Sequence, residues 1–143
     1  KWQSSPSRQL LRRGHEVFLG KKAACITCHT LGYQGGRLGP DLTNIGKVRN
    51  ERDLLEAIVY PSASFVRGYE PVVVELTDGR VLTGIIARES REEIVLGLDA
   101  VKTLHIARDD IEEISPSPTS LMIKALPPQE LADLVAFLKG AQR

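Results

Sequence analysis

The amino-acid sequence predicts a mainly α fold that is interrupted by a small antiparallel β unit. Three segments, residues 7–19, 51–60 and 128–139, carry apolar side chains at the spacing of one helical face. Between the second and third segments the apolar spacing changes to every second residue, and Asp78-Gly79 is a strong signal for a two-residue hairpin turn. The sequence therefore predicts helices at both ends of the chain and strands between them.

The ends of the predicted helices are marked by residues that start or stop helices. Asn50 is a good N-cap for the second helix, and Pro61 blocks its continuation. Gly20 and Gly140 are placed to end the first and last helices. Residues 21–45 are rich in glycine and lack periodicity, which predicts a loop between the first two helices.

The β unit is predicted to form a domain of its own, inserted into the helical one. We assign residues 67–115 to the inserted β domain, and residues 1–66 together with 116–143 to the helical domain. Across a two-residue Asp78-Gly79 turn, Leu76 is expected to face Val81. The pattern predicts three more strands, at residues 93–98, 101–106 and 111–114.

Composition and charge exclude some function classes. The 143 residues are 42% hydrophobic and 26% charged, with a formal net charge of +1, so no global field steers the chain towards nucleic acid. No apolar run approaches the roughly 20 residues that cross a bilayer. The first 13 residues are polar and do not form a signal peptide, so we expect a cleaved leader or an upstream domain that is missing from this chain.

The clearest chemical signal is the motif Cys25-Ile26-Thr27-Cys28-His29, which we call the CxxCH motif. Two thiols three residues apart can reach the two vinyl groups of a haem, and the adjacent histidine is then directed under the iron. The sequence therefore predicts one covalent haem c, attached through Cys25 and Cys28, with His29 as an iron ligand.

Two other chemistries use closely spaced cysteines. A thioredoxin-like redox pair belongs at a strand-to-helix turn, whereas the chain before Cys25 is predicted to be helical. A structural zinc site needs four ligands, and outside the motif only His15 and His105 are available. Both alternatives stay open, although the motif favours haem attachment.

Met122 is the only methionine and the predicted second axial ligand. A lone methionine usually fills a gap in a core, but this one lies in a Pro-rich loop before the last helix. His105 and Lys124 are the weaker candidates for this position. A thioether ligand favours ferrous iron and raises the reduction potential relative to two imidazoles.

Several stretches besides the CxxCH motif together carry a resemblance to a known family. The chain resembles the class I c-type cytochromes, and most closely a CxxCH haem-binding domain family appended to large extracytoplasmic bacterial proteins. In order, the matching stretches are Gly14-His15-Glu16-Val17-Phe18, Gly39-Pro40-Asp41-Leu42, Pro61-Ser62-Ala63, Gly68-Tyr69-Glu70, the strand-turn-strand around Asp78-Gly79, Ser120-Leu121-Met122 and Glu130-Leu131-Ala132-Asp133-Leu134.

The resemblance implies a mainly α cytochrome c fold with a small antiparallel β-meander or barrel inserted between the haem region and the axial Met. It also implies that Gly14 lets the first helix cross the last one near Phe137. Pro40 is implied to pack near the proximal histidine, in a loop that receives the imidazole N–H. The haem residues that it implies are Cys25, Cys28, His29 and Met122, of which His29 and Met122 hold the iron. One departure from related sequences is Ile123, which stands directly after Met122 where they often have Pro.

The inserted unit resembles a small Sm-like or SH3-like barrel. Its pattern Val74-x-Leu76-x-Asp78-Gly79-x-x-Leu82-x-Gly84 is similar to the first Sm motif. Some barrels of this kind bind RNA, but this insertion is rich in Asp and Glu and has no compensating basic stripe. We therefore expect no nucleic-acid partner, and a role in shielding the haem edge or docking a partner.

The function expected from these features is one-electron transfer by a periplasmic or otherwise extracytoplasmic haem protein, which is not an enzyme by itself. With both axial positions filled, no substrate reaches the iron. The expected partner is a redox protein or another domain of the same polypeptide. The alternative is a haem-based gas or redox sensor, or another ligand-binding haem protein, in which Met122 is displaceable.

Overall fold

The computed structural model describes residues 6–122 and 125–140, and its elements are numbered here in chain order. Its helices are α1 (Pro6–Leu19), α2 (Cys25–Cys28), α3 (Ile45–Val48), α4 (Glu51–Val59) and α5 (Pro128–Gly140). Its strands are β1 (Thr30–Leu31), β2 (Gln34–Gly35), β3 (Val72–Leu76), β4 (Val81–Glu89), β5 (Glu93–Gly97), β6 (Thr103–Ala107) and β7 (Ile111–Pro116).

The predicted fold class, a mainly α cytochrome c fold, is wrong. The protein is a mixed α/β structure in which strands make up 26% and five strands form one antiparallel sheet. Two physical features account for the difference. The glycine-rich segment after α1 supports only α2 and α3, each four residues long, so it adds little helix. The β unit, by contrast, builds a sheet with an apolar core of its own.

The helical segments and their end signals are confirmed. Asn50 caps α4, because its side chain accepts a hydrogen bond from the backbone N–H of Asp53 at 2.8 Å. The last helix runs to Gly140, as its stop signal predicts within one residue. The Asn50 cap and the Gly140 stop depend on residues close in sequence, and such short-range features are the easiest to predict from a sequence.

Helices α1 and α5 cross closely at Gly14. A Cβ at Gly14 would collide with the backbone carbonyl of Asp133 and with the Cβ of Phe137. Beside the crossing, Phe18 is fully buried and its ring centroid lies 5.8 Å from that of Phe137. Arg13 on α1 donates two hydrogen bonds of 3.2 Å to the buried carboxylate of Asp133 on α5. The crossing that the resemblance implied is therefore confirmed.

The substitution Gly14→Ala is expected to lower the free energy of unfolding by about 1–3 kcal/mol, although alanine is the better helix former. The added methyl group meets backbone and Cβ atoms that cannot rotate away, so the two helices must separate. Gly140→Ala is the matched control, since its methyl group would meet the end of the flexible Leu11 side chain at 2.9 Å. Denaturant unfolding of both variants checks the prediction, and equal losses would contradict it.

The order of strands in the main sheet is β6-β5-β4-β3-β7. The first and last strands of the β unit, β3 and β7, are antiparallel neighbours, with Val72 opposite Pro116. Just outside this pair, the N–H of Ser117 donates to the carbonyl of Pro71 at 2.9 Å. The chain therefore enters and leaves the sheet at one place, and the sheet interrupts the helical part without separating its two pieces widely.

The predicted pairing across the β3–β4 hairpin is wrong by one residue. Glu75 pairs with Val81, and the N–H of Leu76 donates to the carbonyl of Arg80 at 2.9 Å. The loop consequently has three residues instead of two, and Gly79 takes the left-handed conformation (φ 92°) that such a loop requires. A register shift of one residue moves each side chain of the strand to the opposite face of the sheet, so Val81 points outwards and is 61% exposed.

Two separate apolar clusters hold the described residues together. The sheet cluster consists of Val74, Leu76, Ile94, Leu96 and Ile106. The helical cluster consists of Phe18, Leu54, Ile58, Leu134, Val135, Phe137 and Leu138. Division of the chain into domains at residues 66/67 and 115/116 stays a prediction, and the strands of the sheet extend one residue past the second boundary, to Pro116.

Candidate functional site

The two cysteines of the CxxCH motif lie on one turn of helix. That turn, α2, begins after Ala24, whose backbone is in the left-handed conformation (φ 54°). The Thr27 hydroxyl reinforces the turn by donating to the Ala24 carbonyl at 2.5 Å. Residues three apart on a helix share a face, so the partly exposed thiols of Cys25 and Cys28 are presented together.

His29 follows directly and leaves the helix in an extended conformation. Its N–H donates to the Cys25 carbonyl at 2.9 Å. Its ring Nδ1 lies 2.7 Å from the backbone carbonyl oxygen of Pro40, which can only accept, so Nδ1 carries the proton. That tautomer leaves the lone pair of Nε2 available for a metal ion.

The imidazole of His29 is packed as well as hydrogen-bonded. Burial lowers the pKa of His29 below its ordinary value, and the hydrogen bond to the Pro40 carbonyl opposes the shift only in part. A Cβ at Gly39 would lie 2.5 Å from ring atom Cε1 and 2.8 Å from Nδ1. The ring is therefore held neutral, with one face against a residue that has no side chain.

The loop after His29 folds back under α2. The N–H of Gly36 donates to the Ile26 carbonyl at 2.9 Å, and the N–H of Gly39 donates to the Cys28 carbonyl at 2.8 Å. Further along, the Thr43 hydroxyl and N–H both donate to Asp41, which lowers the pKa of that carboxyl group. These bonds fix the loop that carries the Pro40 carbonyl.

The structure brings Cys25, Cys28, His29 and Pro40 together, and it places Met122 in the loop between β7 and α5. Met122 is 38% exposed and does not belong to either apolar cluster. Its N–H donates to the Ser120 hydroxyl at 3.0 Å, and the N–H of Ser120 donates to the Ser62 hydroxyl at 3.0 Å. In the described residues, no hydrogen bond links Met122 to the motif, and its approach to the iron stays a prediction.

The residues of this site fit a covalent porphyrin. Two thiols on one helical face and a neutral imidazole with Nε2 free are the donor set of haem c. The apolar side chains of Ile26, inside the motif, and Leu31, just after it, are only partly buried. Partly exposed apolar side chains of this kind suit a flat apolar ligand.

The alternative ligands are less well placed. His105 lies on β6, where its Nδ1 is 3.2 Å from the Glu93 carboxylate and its side chain is 58% exposed. Lys124 lies outside the described residues. Over residues 6–122 and 125–140, no three His, Cys, Asp or Glu side chains are grouped as metal ligands, so a zinc site of four such ligands is not found there.

Two contacts of the site were missed by the sequence reasoning. Gly39 was part of a matching stretch, but no role followed from its sequence position, because its contact with His29 spans ten residues of loop. The contact of Leu38 with Gly97 on β5 was missed as well, since a leucine in a loop has no periodic pattern to belong to. The only hint in the sequence was that Gly39 directly precedes Pro40, whose carbonyl accepts from His29.

The comparisons with known proteins add no relative. The chain matches no protein-family model, and no curated protein sequence matches it significantly. Among the described helices, none is both long and apolar enough to span a bilayer. The functional interpretation therefore rests on the residues of the site.

Proposed function

We propose that this chain is a monohaem c-type electron-transfer protein or domain. The observation that carries the proposal is the CxxCH turn with His29 Nδ1 bonded to the Pro40 carbonyl at 2.7 Å. Haem iron supplies a reversible one-electron couple when it is bound. The described residues that would hold haem are Cys25, Cys28 and His29, with Met122 as the second axial ligand.

Covalent attachment in this proposal needs only the two thiols. Each sulfur of Cys25 and Cys28 forms a bond to one carbon of a vinyl group, and the thiol hydrogen goes to the other carbon. The addition is redox-neutral, so it consumes no external oxidant. Because α2 sets the two sulfurs on one face, a single ring can accept both bonds.

Rigid axial ligands suit electron transfer, since little rearrangement then accompanies each electron. His29 is held by the Pro40 carbonyl and by contact with Gly39. As the second ligand, Met122 would supply a thioether, which raises the potential relative to a second imidazole. The proposed partner is a redox protein or another domain of the same polypeptide, in a periplasmic or other extracytoplasmic compartment.

A second candidate function is a haem-based sensor, or another ligand-binding haem protein, in which Met122 is displaced. The observation that favours it is the exposure of Met122, which is 38% exposed and belongs to neither apolar cluster. Met122 would then leave the iron with little loss of packing.

Absorption spectra with a carbon monoxide titration separate the two functions. Electron transfer predicts low-spin spectra in both oxidation states and slow or undetectable binding of carbon monoxide to the ferrous form. Rapid binding of carbon monoxide would favour the sensor. A spectrum without any haem bands would contradict both.

Substitutions in the loop under His29 are expected to have unequal effects. Gly39→Ala places a methyl group 2.5 Å from the imidazole, so the ring must move and the low-spin fraction of the ferric protein should fall. Pro40→Ala is the control, because the acceptor is a backbone carbonyl that alanine retains. Ferric absorption spectra check this prediction, which fails if both variants keep the parent spectrum.

A further inference from the structure

The helical part of the protein touches the sheet through Leu38. Gly97, the last residue of β5, is buried, and a Cβ built on it would lie 2.5 Å from Leu38 Cδ1 and 3.9 Å from its Cγ. The missing side chain of Gly97 therefore leaves the space in which the end of Leu38 sits. We call this contact the Leu38 seat.

The seat is built on backbone that has little freedom to move. Gly97 pairs with Ile85 on β4 and with Thr103 on β6, so it lies inside the sheet. A Cβ at Gly84 would collide with the Gly97 carbonyl, which shows how closely β4 and β5 approach there. A leucine resting on this surface is consequently held by a rigid support.

Leu38 is one residue away from the atoms that hold His29. The next residue, Gly39, donates its N–H to the Cys28 carbonyl and lies against the imidazole ring. Pro40 then supplies the carbonyl that accepts from His29 Nδ1. Leu38 is therefore joined through one or two peptide units to the two residues that hold the histidine.

We propose that the five-stranded sheet positions the axial histidine of the haem through the Leu38 seat. Leu38 is thus a positioning residue, and Gly97 is the part of the sheet that receives it. This inference rests on the proposed haem-binding function and assigns the inserted sheet a role in orienting the histidine. It predicts that the imidazole orientation depends on a contact made outside the helical part of the chain.

Leu38→Ala tests the proposal in the haem-loaded protein. Electron paramagnetic resonance of the ferric form should show shifted g-values, because they depend on the axial imidazole plane. Hydrogen exchange of the Gly39 amide should accelerate by about tenfold or more, since its bond to Cys28 loses support. The mass of the covalently loaded chain should change only by the substitution.

A compensating pair makes the test specific. Gly97→Ala alone should also shift the g-values, because its methyl group meets Leu38 Cδ1. In the double variant Leu38→Val/Gly97→Ala, the side chain at position 38 is one carbon shorter, so the g-values should return towards the parent values. A contact that only adds stability would not be rescued in this way.

Ile106→Val serves as the control for general loosening of the sheet, since Ile106 is buried in the sheet cluster and belongs to β6. Unchanged g-values and unchanged Gly39 exchange in Leu38→Ala would overturn the proposal. The proposal would also be overturned if Ile106→Val lost as much thermal stability as Leu38→Ala and showed the same changes in g-values and Gly39 exchange. If the chain carries no covalent haem, the proposed function fails first and this inference falls with it.

Discussion

Replacing Cys25 and Cys28 together by alanine is expected to give a colourless protein whose helical part no longer unfolds cooperatively. The helical cluster has only seven buried apolar residues, and apolar side chains beside the motif stay partly exposed. A haem would cover these side chains and add a rigid apolar mass to a small core. Without it, we expect the helical part to lose its fixed packing.

Thr27→Ala is the matched control for this experiment. It removes the hydroxyl that donates to the Ala24 carbonyl but keeps both thiols, so the haem bands and the cooperative transition should remain. Differential scanning calorimetry of the three proteins provides the measurement. A sharp cooperative transition of the whole double-cysteine variant would show that haem is not needed for folding.

The second large effect is expected for Met122→Ala, which removes the proposed thioether ligand. The ferrous protein should then bind carbon monoxide rapidly, whereas the parent should bind it slowly or not at all. The weak far-red absorption band typical of Met-ligated ferric haem should also disappear. The reduction potential should fall as the thioether is replaced by water or by a harder ligand.

His105→Ala is the control for the identity of this ligand. His105 bonds to Glu93 within the sheet, so its removal should leave the spectrum and carbon monoxide binding unchanged. Stopped-flow mixing of the ferrous proteins with carbon monoxide measures both effects. If Met122→Ala binds carbon monoxide as the parent does, Met122 is not an iron ligand. If binding changes in His105→Ala instead, the second ligand is His105 on β6.

Local signals predicted local structure well. Asn50 as a cap and Gly140 as a stop are short-range features, and each stands where the helix it belongs to begins or ends. The hairpin was also located correctly, but its register was not, because two-residue and three-residue loops share the Asp-Gly signal. The conformation of Asp78, which does not have the positive φ of a two-residue type I′ turn, and the pairing of Leu76 with Arg80 separate the two cases.

The errors and omissions concern how segments combine. The fold class was wrong because the three helical segments and the resemblance favoured a helical protein, whereas the chain after α1 forms only short helices and the sheet forms its own core. The contacts of Gly39 with His29 and of Leu38 with Gly97 join residues far apart in sequence. Such contacts leave no periodic pattern, so a single sequence cannot show them.

Denaturing mass spectrometry of protein exported with haem-attachment machinery decides whether a porphyrin is joined to Cys25 and Cys28 by thioether bonds. We expect a single species heavier than the polypeptide by one haem, with the added mass on a peptide that contains residues 25–29. A polypeptide of unmodified mass, in which both thiols react with an alkylating reagent, would show that the chain is not a c-type haem protein.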